Sequence, residues 1–200
     1  MKTKLVGVIG SLGQESSTRT GIQYVLKSAE RLGAEVQVID LRSEGLPVFN
    51  PDDRNVPGYD GVKKKVLWAN AILLGSPDYH GSMSGAMKNF LDYFWKEFAG
   101  KVFGYLCASH EKGLTAMDQM RTAVRQCYGW SLPYGVSVTD GDFDTASGKA
   151  IHPKIADRLD NLAYDLAIYA SVLQKQFQAD ISSPQEKAGF ATHYRVKSTS

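Results

Sequence analysis

Cysteine is scarce. Only Cys107 and Cys127 occur in 200 residues, with no CxxC pair and no metal-ligand spacing. A disulfide framework and a bound metal are therefore not expected, and two reduced structural thiols are. Long apolar runs are missing as well. No segment approaches the roughly 20 residues of a membrane span. The opening MKTKLVGVIGSLG has too short an apolar stretch for a secretory signal and no cleavage pattern. A soluble, cytoplasmic protein without a membrane partner is expected. Charge of one sign is not in excess: 23 Lys and Arg stand against 21 Asp and Glu, which leaves no bulk field for nucleic acid. The cluster Lys63-Lys64-Lys65 reads as one solvated helix face. His80, His110, His152 and His193 are scattered, and no Ser-His-Asp or Cys-His arrangement calls for a side-chain nucleophile. No catalytic side chain is expected.

What is present is a regular alternation. Lys4–Gly10 is short, apolar and β-branched, as a buried strand is. Thr18–Leu32 places Ile22, Val25, Leu26, Ala29 and Leu32 on one helical face, and Gly33 suits its C-terminus. A strand over Glu35–Ile39, a long polar connection and a helix over Tyr59–Asn70 follow. A strand over Ala71–Ser76 leads to a helix over Ser84–Phe98, and a strand over Lys101–Ser109 to a helix over Thr115–Tyr128, with Thr115 and Asp118 spaced as a capping box. Pro133–Val138 reads as a fifth strand. His152–Gln174 reads as a long helix with Pro153 at its first position. One domain over residues 1–175 is expected, with 176–200 as an arm or tail of it. Strands alternating with helices build a parallel sheet covered on both faces. The expected architecture is an α/β three-layer sandwich of the flavodoxin-like kind, with five parallel strands in the order 2-1-3-4-5. Ligands of such sheets sit at the carboxyl ends of the strands where the winding reverses. Here those ends lead into SLGQESST and SPDYHGS.

The first loop combines hydroxyls at Ser11, Ser16, Ser17 and Thr18 with the free amides of a helix start. That makes an anion cradle suited to a phosphate monoester. Capping alone needs one hydroxyl. A dinucleotide fingerprint is the rival reading, with Gly7, Gly10 and Gly13 followed by Asp40. Five polar residues separate its last glycine from the helical pattern, however. In the second loop, Pro77 and Gly81 shape a backbone with its amides turned outward, and Gly81 leaves room for a ring. Tyr79 and His80 offer flat faces for stacking. Either Ser82 or Ser84 can cap the next helix. The pattern suits a planar heterocycle that also carries a phosphate.

GSLGQESST after the first strand and GSPDYHGSMSGAMKNFLDYF after the third resemble the NADPH-dependent FMN reductase family of flavodoxin-like proteins, over most of residues 4–175. The resemblance implies that the FMN phosphate lies on Ser11, Ser16 and Thr18, with Ser17 beside them. It implies that the isoalloxazine lies along Pro77, Asp78, Tyr79, His80, Gly81 and Ser82. Ser109 and His110, after the fourth strand, are expected at the flavin edge. Two departures stand out. The family's usual arginine in the first loop is Gly13 here, with Arg19 as a substitute cation. The third loop is the charged stretch Ser109-His110-Glu111-Lys112-Gly113 rather than a glycine-rich one.

The activity implied is an FMN-dependent NAD(P)H oxidoreductase. NADPH or NADH passes a hydride to flavin N5, and a small-molecule electron acceptor then takes the electrons: free flavin, a quinone, an azo compound or an oxidised metal ion. Two other readings stay open. One is a flavin-bearing electron carrier or redox-sensing protein with little NAD(P)H turnover. The other is a flavin-free dinucleotide reductase using Gly10, Gly13 and Asp40. Assembly is expected too. Met83, Met87, Phe90, Leu91, Phe94 and Phe98 form a wider apolar stripe than one sheet-facing side needs, which marks a second intramolecular contact or a subunit interface. Family members commonly form dimers or tetramers, so a homodimer or homotetramer is expected.

Overall fold

The structure, a computed structural model, describes residues 2–53, 55–144, 146–184 and 189–195. In chain order the elements are β1 (Lys4–Ile9), α1 (Ser17–Arg31), β2 (Glu35–Asp40), the single turn α2 (Leu41–Glu44), α3 (Tyr59–Trp68), β3 (Ala71–Tyr79), β4 (Ser82–Met83) and α4 (Gly85–Asp92). Then come β5 (Val102–Ala108), α5 (Leu114–Gln126), β6 (Trp130–Ser131), β7 (Val136–Val138) and α6 (Pro153–Ser182). The sheet runs β2-β1-β3-β5-β6, and β7 also pairs with β5. All these ladders are parallel. This is the expected 2-1-3-4-5 winding, with the fifth position shared by β6 and β7.

Strand periodicity sorts the core into two layers. Leu5 and Ile9 of β1, Leu73 of β3 and Leu106 of β5 face α1 and α6. Val6 and Val8, Ile72 and Leu74, and Phe103 and Tyr105 face the side of α3, α4 and α5. Side chains alternate across each strand, so one run of consecutive apolar residues serves both layers. At Gly7 a Cβ would stand 2.7 Å from Ile22 Cγ2, so glycine lets α1 lie close against β1.

Five boundaries differ from the sequence reading. The third strand continues through Tyr79, because Asp78 and Tyr79 pair antiparallel with Met83 and Ser82. The helix expected over Ser84–Phe98 stops at Asp92, and only a short 3-10 turn, Lys96–Phe98, follows. The fifth strand is split, since Pro133 has no N–H to give to a ladder. At α5 the cap is Gly113, at φ 58 and with no side-chain capping bond, and Asp118 instead pairs with Arg121 at 2.6 Å. The long helix passes Gln174 and ends at Ser182. Of the expected arm, Gly189–Arg195 packs back on the body, with Phe190 stacked on Tyr128 and Phe177. Residues 185–188 and 196–200 lie outside the described residues.

The wide apolar stripe is covered from within the chain. Met83, Met87, Phe90, Leu91, Phe94 and Phe98 are all buried. Rings of Phe49, Tyr59 and Tyr93 close over its outer edge. An apolar stripe that does stay exposed is Tyr164, Ile168 and Val172 on the outer face of α6.

Candidate cofactor site

The carboxyl ends of β1, β3 and β5 meet at one edge of the sheet, and a web of short bonds fixes them there. The Gly10 amide donates to the Gly75 carbonyl at 2.7 Å. A Cβ on Gly10 would fall 2.7 Å from that same oxygen, so only glycine permits the approach. Ser84 caps α4 by accepting from the Met87 amide, and its hydroxyl donates to the Gly10 carbonyl at 2.7 Å. The Ser84 amide in turn donates to Ser76 Oγ at 2.8 Å. The capping alternative between Ser82 and Ser84 thus falls to Ser84, while Ser82 Oγ donates to Gln119 Oε1 of α5 at 2.8 Å.

In the first loop Ser16 is the N-cap of α1, its hydroxyl accepting from the Arg19 amide at 3.2 Å. The amides of Ser17 and Thr18 begin the helix with no carbonyl a turn behind them. Ser11 is buried, and its hydroxyl accepts from the Gly13 amide at 3.3 Å. Thr18 is 0% exposed, yet its Oγ1 has no hydrogen-bond partner. A buried hydroxyl left without a partner costs about 1–3 kcal/mol. Thr18 Oγ1 lies at the start of α1, beside the free amides of the first turn. Glu15 is exposed, so its carboxylate does not close the cradle. Ser17 is buried and its hydroxyl donates to Asp140, in the turn after β7.

The second loop is a tight hairpin rather than an open turn. His80 and Gly81 form its tip with φ of 58 and 75. A two-residue turn with both central residues at positive φ is the kind that matches the twist of paired strands. Glycine takes that conformation freely; a histidine there costs about 1–2 kcal/mol. The hairpin stands out from the sheet, with Pro77 buried, Tyr79 55% exposed, and His80 and Gly81 exposed. Asp78 ties it to the third loop by accepting from Ser109 Oγ at 2.9 Å. Ser109 Oγ also receives the Glu111 amide, and the Ser109 amide donates to the Val138 carbonyl. His110 is exposed beside them. The loops that carry the twelve expected site residues are thus linked at one edge, and the second-loop hairpin is held in place from the end of β5.

The dinucleotide reading does not fit this arrangement. Gly7 lies within β1, and Gly10 serves the β1–β3 junction. Asp40 accepts from Arg19 Nη1 at 2.6 Å and Nη2 at 3.2 Å, and from the Arg42 amide. Burial opposes ionisation of Asp40, but the Arg19 bond outweighs it with the Arg42 amide and both positive charges, so its pKa lies below the usual carboxylate value. A residue so engaged is not presented to a ribose. The same pair turns both terminal nitrogens of Arg19 toward Asp40, while its Nε is buried without a partner.

Cys107, just under the third loop, is buried. Burial, then the Asp78 charge, pushes its thiol up to about 12. Among the described residues no cluster of His, Cys, Asp or Glu is able to hold a metal, and no helix is long and apolar enough to cross a membrane. A groove of about 580 Å³ lies between α4 and α5 and touches the candidate site only through Ser82 and Met83. Reasoning from sequence missed Asp140, Ser76 and Gly75. All three stand near strand carboxyl ends, and that placement was the available signal for them.

The fold is shared with solved flavoenzymes. A flavoenzyme NAD(P)H:(acceptor) oxidoreductase from Paracoccus denitrificans superposes with a TM-score of 0.72 at 20% identity, over 86% of this chain and 98% of that one. An NADH:FMN oxidoreductase in its apo form gives 0.68 at 18% identity, over 84% and 89%. Among curated proteins, an NADPH azoreductase of Bacillus sp. (strain OY1-2) is 28% identical over 84% of this chain and 96% of its own length. An FMN-dependent NADPH-azoreductase of Staphylococcus aureus is 27% identical over 68% and 77%. The family model described as NADPH-dependent FMN reductase matches residues 3–144, and the chain belongs to that family.

Proposed function

We propose that this oxidoreductase binds FMN along the three joined loops and uses NADPH or NADH to reduce a small planar acceptor. An azo compound or a quinone is the acceptor class favoured, with free flavin next. The observation that carries the reading is Thr18 Oγ1, buried without a partner at the start of α1. Bound FMN would supply the redox chemistry. The chain would supply the rest. Ser11, Ser16, Thr18 and the amides of Ser17 and Thr18 would hold the phosphate. Pro77, Asp78, Tyr79, His80, Gly81 and Ser82 would lie along the ring, with Ser109 and His110 at its edge. The Asp78–Ser109 bond would keep that wall in place as donor and acceptor exchange over it.

The azo preference leans on the azoreductase names of the curated relatives. A homodimer or homotetramer is part of the reading, supported by the exposed stripe Tyr164, Ile168 and Val172 on α6; light scattering on the purified protein tests it.

The test of function is a visible spectrum of the protein mixed with FMN and freed of excess flavin, taken before and after anaerobic NADPH. Turnover with an azo dye, a quinone and free FMN follows. Retained yellow colour that bleaches, with fastest turnover on the dye or quinone, is the expected result. Flavin that bleaches but never turns over would support a carrier. A colourless protein that gives no NADPH turnover even with excess free FMN would overturn the reading.

A further inference from the structure

The two arginines near the phosphate cradle have terminal nitrogens directed elsewhere, although Arg19 Nε is buried without a hydrogen-bond partner. Arg19 is paired through two bonds to Asp40, and Arg42 donates to the Leu12 carbonyl at 2.7 Å. The family's loop arginine is Gly13 here. A carboxylate, in contrast, reaches the cradle. Asp140, in the 3-10 turn Asp140–Asp142 after β7, accepts the hydroxyl proton of Ser17. Ser17 is buried at the first position of α1, where a phosphate would need donors. A hydroxyl has one proton to give. While Asp140 takes it, Ser17 shows only lone pairs elsewhere, and these repel a phosphate oxygen. The carboxylate adds its own charge, reduced by solvent because Asp140 is exposed.

We propose that Asp140 is a positioning residue that withholds the Ser17 hydroxyl from the cofactor phosphate, and so holds FMN affinity below what the loop alone would reach. This rests on the FMN reading above. Its consequence is that FMN exchanges with the free pool. Ser11 and Thr18 are then the buried hydroxyls left to serve the phosphate.

Fluorescence titration of the full chain with FMN and with riboflavin, which lacks the phosphate, tests this. Four proteins are compared: the natural chain, Asp140→Ala, Ser17→Ala and the double variant. Asp140→Ala is expected to tighten FMN about tenfold, the size of one recovered hydrogen bond to a charged group, and to leave riboflavin within twofold. Ser17→Ala is expected, in the double variant, to erase most of the gain. Asp140→Asn, which keeps the acceptor and removes the charge, gives a smaller gain in the same direction and serves if the alanine variant misfolds. An FMN-to-riboflavin affinity ratio that stays constant or falls in the Asp140 variants overturns the proposal while leaving the FMN reading intact. So does a tenfold loss of FMN affinity in Ser17→Ala alone. If the natural chain binds neither flavin, both readings fall.

Discussion

At the scale of one residue, Thr18 sets the proposed phosphate site against stability. Its hydroxyl is buried and unpartnered, a net cost to the folded chain until something accepts it. Thr18→Val keeps the shape and removes the conflict. Melting of the flavin-free protein is expected to show a gain of about 1–2 kcal/mol. FMN affinity, measured against riboflavin, is expected to fall. A loss of stability with unchanged FMN affinity would show that the hydroxyl serves the fold and not a phosphate. Thr18 was visible in the sequence as one of four hydroxyls before a helical pattern. Which of the four was left free was not visible, because that depends on Ser16 capping the helix and on Asp140 arriving from 123 positions away along the chain. His80 was read correctly as part of the loop, but its positive φ was not legible. Histidine does not signal that conformation as glycine does.

Among the elements, the junction of β1, β3 and α4 carries the most consequence. Ser84 caps one and holds the other: it accepts from Met87 N and donates to the Gly10 carbonyl. Ser84→Ala removes both bonds in a buried place. Urea unfolding is expected to register about 2–3 kcal/mol of destabilisation, more than a cap alone is worth. Element type and order were legible throughout, because the apolar runs are short, β-branched and separated by amphipathic stretches. Ends were less so. The third strand outran its apolar run because Tyr79 found a partner in Ser82 only after the chain had turned back. The helix after it broke early, since Tyr93 and Phe94 bond back to Phe90 and Leu91 by shorter steps. Apolar spacing counts faces and is blind to both events.

For the molecule as a whole, Lys101 couples folding to pH. It lies at the amino end of β5, 8% exposed, with its ammonium on the carbonyls of Leu67 and Ala69 at the close of α3. Burial, partly countered by Glu97, lowers its pKa to about 8. The unfolded chain therefore binds the proton more tightly than the folded one. The resulting penalty is fully present below pH 8 and is relieved as pH rises toward the unfolded value near 10.5, so this residue's contribution to stability increases with pH across that window. Lys101→Met is expected to remove that rise. The difference between the two stability curves should shrink by up to roughly 3 kcal/mol from pH 8 to 10.5. Parallel curves for the two proteins would show that the lysine is already equally charged in both states. Nothing in the sequence marked this residue, since burial of a lysine is settled by which helix end lies above the strand.

The outer borders of the sheet have a consequence for how the protein behaves in a crowded solution. On one border the ladder is open for only two residues in β6 and three in β7, with Pro133 between them. On the other, the Lys65 ammonium sits on the Val38 carbonyl of β2 at 3.0 Å. The first border offers only short rows of unpaired amides and carbonyls, and on the second a lysine charge interrupts the row on which a neighbouring chain would add a strand and template fibre growth. The β-branched centre of this sheet is thereby shielded from its own tendency to polymerise.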